Sequence, residues 1–169
     1  CPRYVGLVPI YYHINHTGRP SSNDKPTDDY PSNYIESPHT PLYPFGHGLS
    51  YTTFEYSEIN LSKKQLRESE ILKASLTITN TGDYDGHEIV QLYVHDKVGS
   101  ITRPVKELKG FKKIFLKNGE SKTVSFDITI EDLKFFNNGQ FTVESGEFEI
   151  AISGTSNFEF NKTFNLVLN

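Results

Sequence analysis

Histidine and carboxylate side chains are the first candidates for chemistry in this 169-residue chain, and four of its six histidines, His13, His16, His39 and His47, fall in the first third. Zinc sites usually place two histidines with three to five residues between them and add cysteine or carboxylate ligands at matching distance. His13 and His16 have two residues between them, and the only cysteine is Cys1. The spacing reads as loop histidines that hydrogen-bond on a docking surface, so neither a metal nor any other cofactor is expected. The chain also lacks a Gly-x-Ser-x-Gly elbow, a His-Glu-x-x-His helix and a phosphate-cradling glycine loop. Its acidic residues are plentiful, but abundance alone does not make a site.

The elements that would have to position any site fall into two unlike halves, joined by residues 41–56, PLYPFGHGLSYTTFEY. Tyr43, Phe45, Leu49, Tyr51, Phe54 and Tyr56 are too many large apolar side chains for a free linker. Pro41, Pro44, Gly46 and Gly48 are too many breakers for a helix. This joint reads as an irregular segment fixed against the edge or open end of the C-terminal half, its glycines taking tight or positive-φ conformations. Before it lies an arm rich in Pro, Tyr and His. Val5, Leu7, Val8 and Ile10, with Tyr11 and Tyr12, form at most one short strand broken at Pro9. Residues 21–31 are turn chemistry and the best candidate for a mobile loop. The arm has too few large apolar side chains to offset the entropy of ordering its backbone. It must lie on the C-terminal domain, on a neighbouring molecule, or on both. Arg19 reads as a tie from the arm to backbone carbonyls, with a substrate-orienting cation as the alternative.

After the joint the period is two. Leu72, Ala74, Leu76 and Ile78 share a parity, as do Val90, Leu92 and Val94, then Val124, Phe126 and Ile128, then Phe148, Ile150 and Ile152, then Phe158, Phe160, Phe164, Leu166 and Leu168. Turn residues at 81–86, 118–120, 137–139 and 153–154 separate these runs. With segments 54–61 and 108–116 the pattern predicts an all-β, immunoglobulin-like sandwich of about seven strands, preceded by the long irregular arm. Leu76, Leu92, Val94, Phe126, Ile150 and Phe164 are expected to point inward. Around Asp132 a single helical turn is expected. The opposite face of the strand at 87–96 carries Ile89 and Tyr93, which calls for cover from the arm or a partner, or leaves two isolated exposed apolar residues.

Composition narrows the classes. The net charge is −4, so no global field draws in nucleic acid or an anionic membrane. No apolar run approaches the ~18 residues of a membrane span, and a soluble protein is expected. Eight basic residues between Lys97 and Lys122 face only Glu107 and Glu120, which reads as a solvated strand face rather than a nucleic-acid site. Asn15, Asn60 and Asn161 begin glycosylation sequons too short to decide a compartment.

The wording of the joint, Pro41-Leu42-Tyr43-Pro44-Phe45-Gly46-His47-Gly48-Leu49-Ser50-Tyr51-Thr52, resembles the segment that joins the second catalytic domain of glycoside hydrolase family 3 enzymes to their C-terminal fibronectin type III-like domain. Val8-Pro9-Ile10-Tyr11-Tyr12 and Thr17-Gly18-Arg19-Pro20 resemble the end of that family's α/β sandwich domain. Asn80-Thr81-Gly82, Gly86 to Val94, Arg103-Pro104 and Glu107 to Phe111 resemble its fibronectin type III-like domain. One departure stands at His13-Ile14-Asn15, where the family commonly reads Asn-His-Lys, and it puts in doubt any role for that local histidine. Cys1 could start a lipoprotein, but the residues after it resemble the family's interior, so a truncation point is the expected reading.

The resemblance implies that residues 1–52 are the tail of a preceding catalytic domain plus linker, that 53–169 are the fibronectin type III-like sandwich, and that the setting is periplasmic or secreted. Retaining glycosidases need two carboxylates ~5–5.5 Å apart, and neither of the family's catalytic motifs occurs in this sequence, so the segment is expected to be inactive. The implied partners are the catalytic domains of the same polypeptide, with a homo-oligomer through the arm as a further option. The implied function is that of a non-catalytic accessory domain docking through Arg19, Tyr43, Phe45, His47, Leu49 and Tyr51. An independent carbohydrate-binding module, stacking sugars on Tyr84, Tyr93 or Phe136, and an adhesion or assembly domain acting through sheet edges are the alternatives.

Overall fold

The computed structural model describes residues 2, 3, 11, 12 and 40–168. Among the described residues, eleven strands and one helical turn occur in chain order: β1 (Phe54–Tyr56), β2 (Asn60–Leu61), β3 (Gln65–Arg67), β4 (Leu72–Asn80), β5 (Gly86–Asp96), β6 (Glu107–Leu116), β7 (Ser121–Ile128), α1 (Ile130–Leu133), β8 (Phe135–Asn137), β9 (Gln140–Thr142), β10 (Gly146–Ser153) and β11 (Lys162–Val167). One sheet runs β1-β4-β2 with β7 on the other edge of β4. The second runs β3-β11-β10-β5-β6, and β8 and β9 form a separate hairpin. Nearly all pairings are antiparallel; β3 lies parallel to β11.

Alternation decides which face of each strand is buried. Leu72, Ala74, Leu76 and Ile78 from β4 and Val124, Phe126 and Ile128 from β7 meet Val90, Leu92 and Val94 from β5, Phe148, Ile150 and Ile152 from β10, and Phe164 and Leu166 from β11. All six side chains expected to point inward are buried. A core of this breadth needs no disulfide.

The seven expected strands are present, with additions the pattern did not reveal. The segment at 54–61 splits into β1 and β2, which pair with different stretches of β4. The three-residue strands β3, β8 and β9 are too short for a period to register. The last strand begins at Lys162 rather than near Phe158. Phe158 and Phe160 share the parity of β11 but lie across the outer face of the second sheet, where Phe158 packs on Tyr93 and Phe160 on His95. The helical turn α1 is closed by a capping box in which the Asp132 carboxylate accepts from the backbone N–H and hydroxyl of Thr129, at 2.8 and 2.9 Å.

Candidate docking surface at the joint

Residues 41–52 cross the outer face of the second sheet and end at its rim. Pro44 O accepts from His47 N at 3.1 Å, closing a turn, and the rings of Tyr43 and His47 lie 5.1 Å apart. Phe45 stacks on Tyr12 at 4.1 Å, and Tyr12 meets Tyr93 edge-on at 6.3 Å. Its backbone is held too, because Ser156 N donates to Phe45 O at 2.8 Å. Gly46 has φ +78°, and a Cβ there would come within 3 Å of the Gln91 amide. Only glycine fits the conformation and the space together.

Gln91 holds this crossing from below. Its Nε2 donates to Gly154 O at 2.6 Å, and the Tyr93 hydroxyl donates to its Oε1 at 2.5 Å. Burial pushes the Tyr93 phenol up to about 12, with Tyr12 adding to the shift, so it stays a donor at neutral pH. At the rim the Thr52 hydroxyl donates to Asn80 Oδ1 at 2.6 Å, and Asn80 Nδ2 donates to Tyr84 O at 2.8 Å and Leu116 O at 3.2 Å. Asn80 is fully buried, and these bonds tie the joint to the 81–86 loop and the end of β6.

The joint is two-sided. The Phe45 backbone and Thr52 seat it, whereas the Phe45 side chain is 45%, Leu49 95% and Tyr51 97% exposed. Tyr43 and His47 are also exposed. Arg19, together with His13, His16 and His39, the strand expected at 5–10 and the loop at 21–31, lies outside the described residues. Where the arm is described, it is Arg3 that ties chain to chain, Nε donating to Thr40 O at 3.0 Å and Nη2 to Thr40 Oγ1 at 3.1 Å.

Of the three aromatic residues considered for sugar stacking, Tyr84 and Phe136 are exposed, but Tyr93 is 0% exposed. Its outward face is covered by Tyr12 and Phe158, which removes it as a platform. The cover expected over β5 is therefore present at Tyr93, while Ile89 remains in solvent. Among the described residues no group of three or more His, Cys, Asp or Glu could hold a metal ion.

The basic run is also not a plain solvated face. Arg103 is buried against Asp96, Nη1 to Oδ2 2.7 Å, reaches Glu107 at 3.2 Å, and lies over the Phe135 ring at 4.9 Å. Lys106 donates to Ser156 O and Phe158 O at 2.8 and 3.1 Å and sits over the Phe158 ring. Burial pulls its ammonium below the usual lysine range. Lys112 sits over Phe126. Sequence patterning misses these roles because each depends on a partner distant in the chain, although Arg103-Pro104 is among the residues that carry the family resemblance.

A second, half-buried polar pair links the two sheets. The Tyr56 hydroxyl donates to Glu88 Oε1 at 2.6 Å, and Gly154 leaves no room for a Cβ beside that oxygen. Burial pushes the Glu88 carboxyl up, against the pull of hydrogen bonds from Tyr56 and the Ile89 N–H. The native state therefore holds a proton on Glu88 more readily than the unfolded chain does. This group's contribution to stability falls as pH rises from the ordinary carboxylate range through the raised value. Glu88→Gln, which keeps an acceptor for Tyr56, is expected to melt above the parent at pH 7, the gain shrinking as pH is lowered through that window. Thermal scans from pH 4 to 8 check this, and an offset that does not change with pH would assign the effect to packing.

Residues 88–156, from β5 into the loop after β10, match the family model described as Fibronectin type III-like domain. The sandwich is a fibronectin type III-like domain. The chain is 48% identical over 152 residues to the periplasmic β-glucosidase of Salmonella typhimurium, a match covering 89% of this chain and 20% of that relative. It is 43% identical over 163 residues to a putative β-xylosidase of Formosa agariphila, covering 96% and 20%. A crystal structure of the β-glucosidase from Listeria innocua in complex with gluconolactone superposes with a TM-score of 0.88 at 37% identity, covering 98% of this chain and 23% of that one. The chain thus spans about a fifth of the length of the curated relatives it matches. The resemblance to glycoside hydrolase family 3 carried by the joint and strands is borne out.

Proposed function

We propose that this chain is the non-catalytic accessory portion of a family 3 β-glucosidase-like hydrolase and that it docks the catalytic domains of the same polypeptide through the outward side of the joint. The arm occupies residues 1–52 and the sandwich residues 53–169. The observation that carries the reading is the two-sidedness of residues 41–52. Gly46, Phe45 and Thr52 hold the backbone against the sandwich, yet Leu49 and Tyr51 are presented almost fully to solvent. Large apolar side chains held out by a fixed backbone have already met part of the entropic cost of binding. The preceding polypeptide enters at this segment, so it is the surface's natural partner. The periplasmic β-glucosidase of Salmonella typhimurium, as a relative, supports a periplasmic or secreted setting.

The test compares two contexts. In the isolated 169-residue chain, Leu49→Ser with Tyr51→Ser changes stability by no more than ~0.5 kcal/mol, as for ordinary surface substitutions. In the full-length parent the same pair lowers the melting temperature, because each side chain loses burial worth ~1.5–3 kcal/mol, while kcat holds. A kcat collapse with unchanged melting would place the joint in the active site, and no effect in either context would end the docking reading. The isolated chain is also expected to give no turnover of an aryl β-glucoside above the buffer blank. Turnover by a contaminant-free preparation would contradict the accessory assignment.

A further inference from the structure

The hairpin of β8 and β9 forms a two-stranded sheet apart from the two sheets of the sandwich. Residues 135–143, FFNNGQFTV, carry no charge, between Lys134 on one side and Glu144 on the other. Phe136 and Phe141 are directly paired across the hairpin and remain 60% and 70% exposed. Their centroids are 5.4 Å apart with the planes at 72°, so they form a corner, a floor and a wall, rather than a collapsed cluster. Asn137 and Gln140, paired beside the turn, share the parity of Phe135 and lie on the opposite face of the hairpin from the rings, while Asn138 stands at the turn itself.

The support beneath is rigid. Phe135, the neighbour that points the other way, is buried under the Arg103 guanidinium, and Arg103 is itself locked to Asp96 at the end of β5. The turn has Asn138 at φ +48° and Gly139 at φ +85°, the two left-handed residues of a tight I′ hairpin. Exposure of the rings is therefore built in, not the fraying of a loose loop.

We propose that this hairpin is a glycan-contact element, taking a pyranose ring of a neutral β-linked polysaccharide into the corner of Phe136 and Phe141. A pyranose presents an apolar C–H face that packs on an aromatic ring and equatorial hydroxyls that pair with planar amides. The corner supplies the apolar contact, and the Asn138 amide stands at the tip of the turn. Absence of charge over nine residues suits a neutral chain, and it offers nothing to phosphate or to an acidic partner. The hairpin sits at the Asp96 end of β5, whereas the joint's rim contacts are at Gly86, ten residues or ~33 Å of strand away. The corner thus lies at the opposite end of β5 from the rim where the joint ends. The choice of glycan, a β-glucan or xylan, rests on the proposed function; the corner itself does not.

The 169-residue chain is incubated with insoluble cellulose, curdlan and xylan, and the bound fraction is measured against chain carrying Phe136→Ala with Phe141→Ala. Retention on at least one of these glycans, reduced tenfold or more in the double variant with its melting temperature unchanged, is the expected result. Leu49→Ser with Tyr51→Ser leaves retention as it was, so the docking reading and this one fail separately. No retention of the parent chain, or equal retention of parent and ring variant, overturns the proposal. A lower melting temperature for the ring variant only in the full-length polypeptide, without glycan retention, would instead assign the corner to an intramolecular contact.

Discussion

Phe164→Ala is expected to destabilise the sandwich by ~3–5 kcal/mol, a large share of what a domain of this size has in total. Phe164 lies on β11 directly opposite Phe148 of β10, their rings stacked at 5.6 Å, and both are essentially inaccessible to solvent. Truncation removes the transfer free energy of a whole ring and leaves a cavity between two strands held by ladder hydrogen bonds on both sides of β11, from β10 and β3. Such a site cannot collapse without breaking the ladder, so the cost belongs at the upper part of the range. Phe141→Ala is the internal control, since the same chemical change on the exposed hairpin costs no more than ~0.5 kcal/mol. Urea denaturation of the two variants beside the parent decides it. Equal midpoints for Phe164→Ala and the parent would mean that the pairing of β10 with β11 is wrong.

Arg103→Met is expected to cost a comparable ~3–5 kcal/mol, by a different mechanism. The Arg103 and Asp96 side chains are 6% and 3% exposed, so losing the guanidinium leaves a carboxylate without water or counter-charge. The buried ring of Phe135 would lose its cover at the same time. Adding Asp96→Asn removes the stranded charge while keeping an acceptor for the Val98 N–H, at 3.2 Å from Asp96 Oδ1. The double variant is expected to recover much of the loss. Measured as a double-mutant cycle, this coupling changes little between low and high salt because the pair is screened poorly. A single-variant cost below ~1 kcal/mol, against the several expected for a broken buried pair, or a cycle without coupling, would show that Arg103 is held by packing alone.

These two changes bear on function through different ends of the molecule. Phe164 supports the core on which the joint is seated, whereas Arg103 holds the far end, where the loop after β5 is clamped to the β8–β9 hairpin. Ser100 and Glu144 strengthen that clamp, the carboxylate accepting from the Ser100 N–H at 3.0 Å and from its hydroxyl, and these bonds hold the Glu144 carboxyl below its usual range. The ends are therefore separable by mutation, and stability, domain docking and glycan retention need not move together.

Period-two alternation is a local property of the chain, and it determined by itself that Leu76, Leu92, Val94, Phe126, Ile150 and Phe164 line a core between two sheets. Turn chemistry located the breaks between strands for the same reason, since Asn138-Gly139 or Asn118-Gly119 need only their own backbone preferences. The joint was legible as a docked segment from its rings and glycines. Its two-sidedness was not, because which part of the joint is seated and which is left in solvent depends on where Ser156 and Gln91 lie in space. Tyr93 shows the limit most directly. Its position on the outward parity of β5 is what alternation yields, and its burial comes from Tyr12 and Phe158, residues 81 and 65 positions away along the chain. The same holds for Arg103, which looked like one cation in a basic run until β5 and the hairpin closed around it. Faces follow from sequence because they are set by a residue's neighbours in the chain; cover, charge pairing and the parallel seat of β3 beside β11 follow from neighbours in space, which only the folded structure supplies.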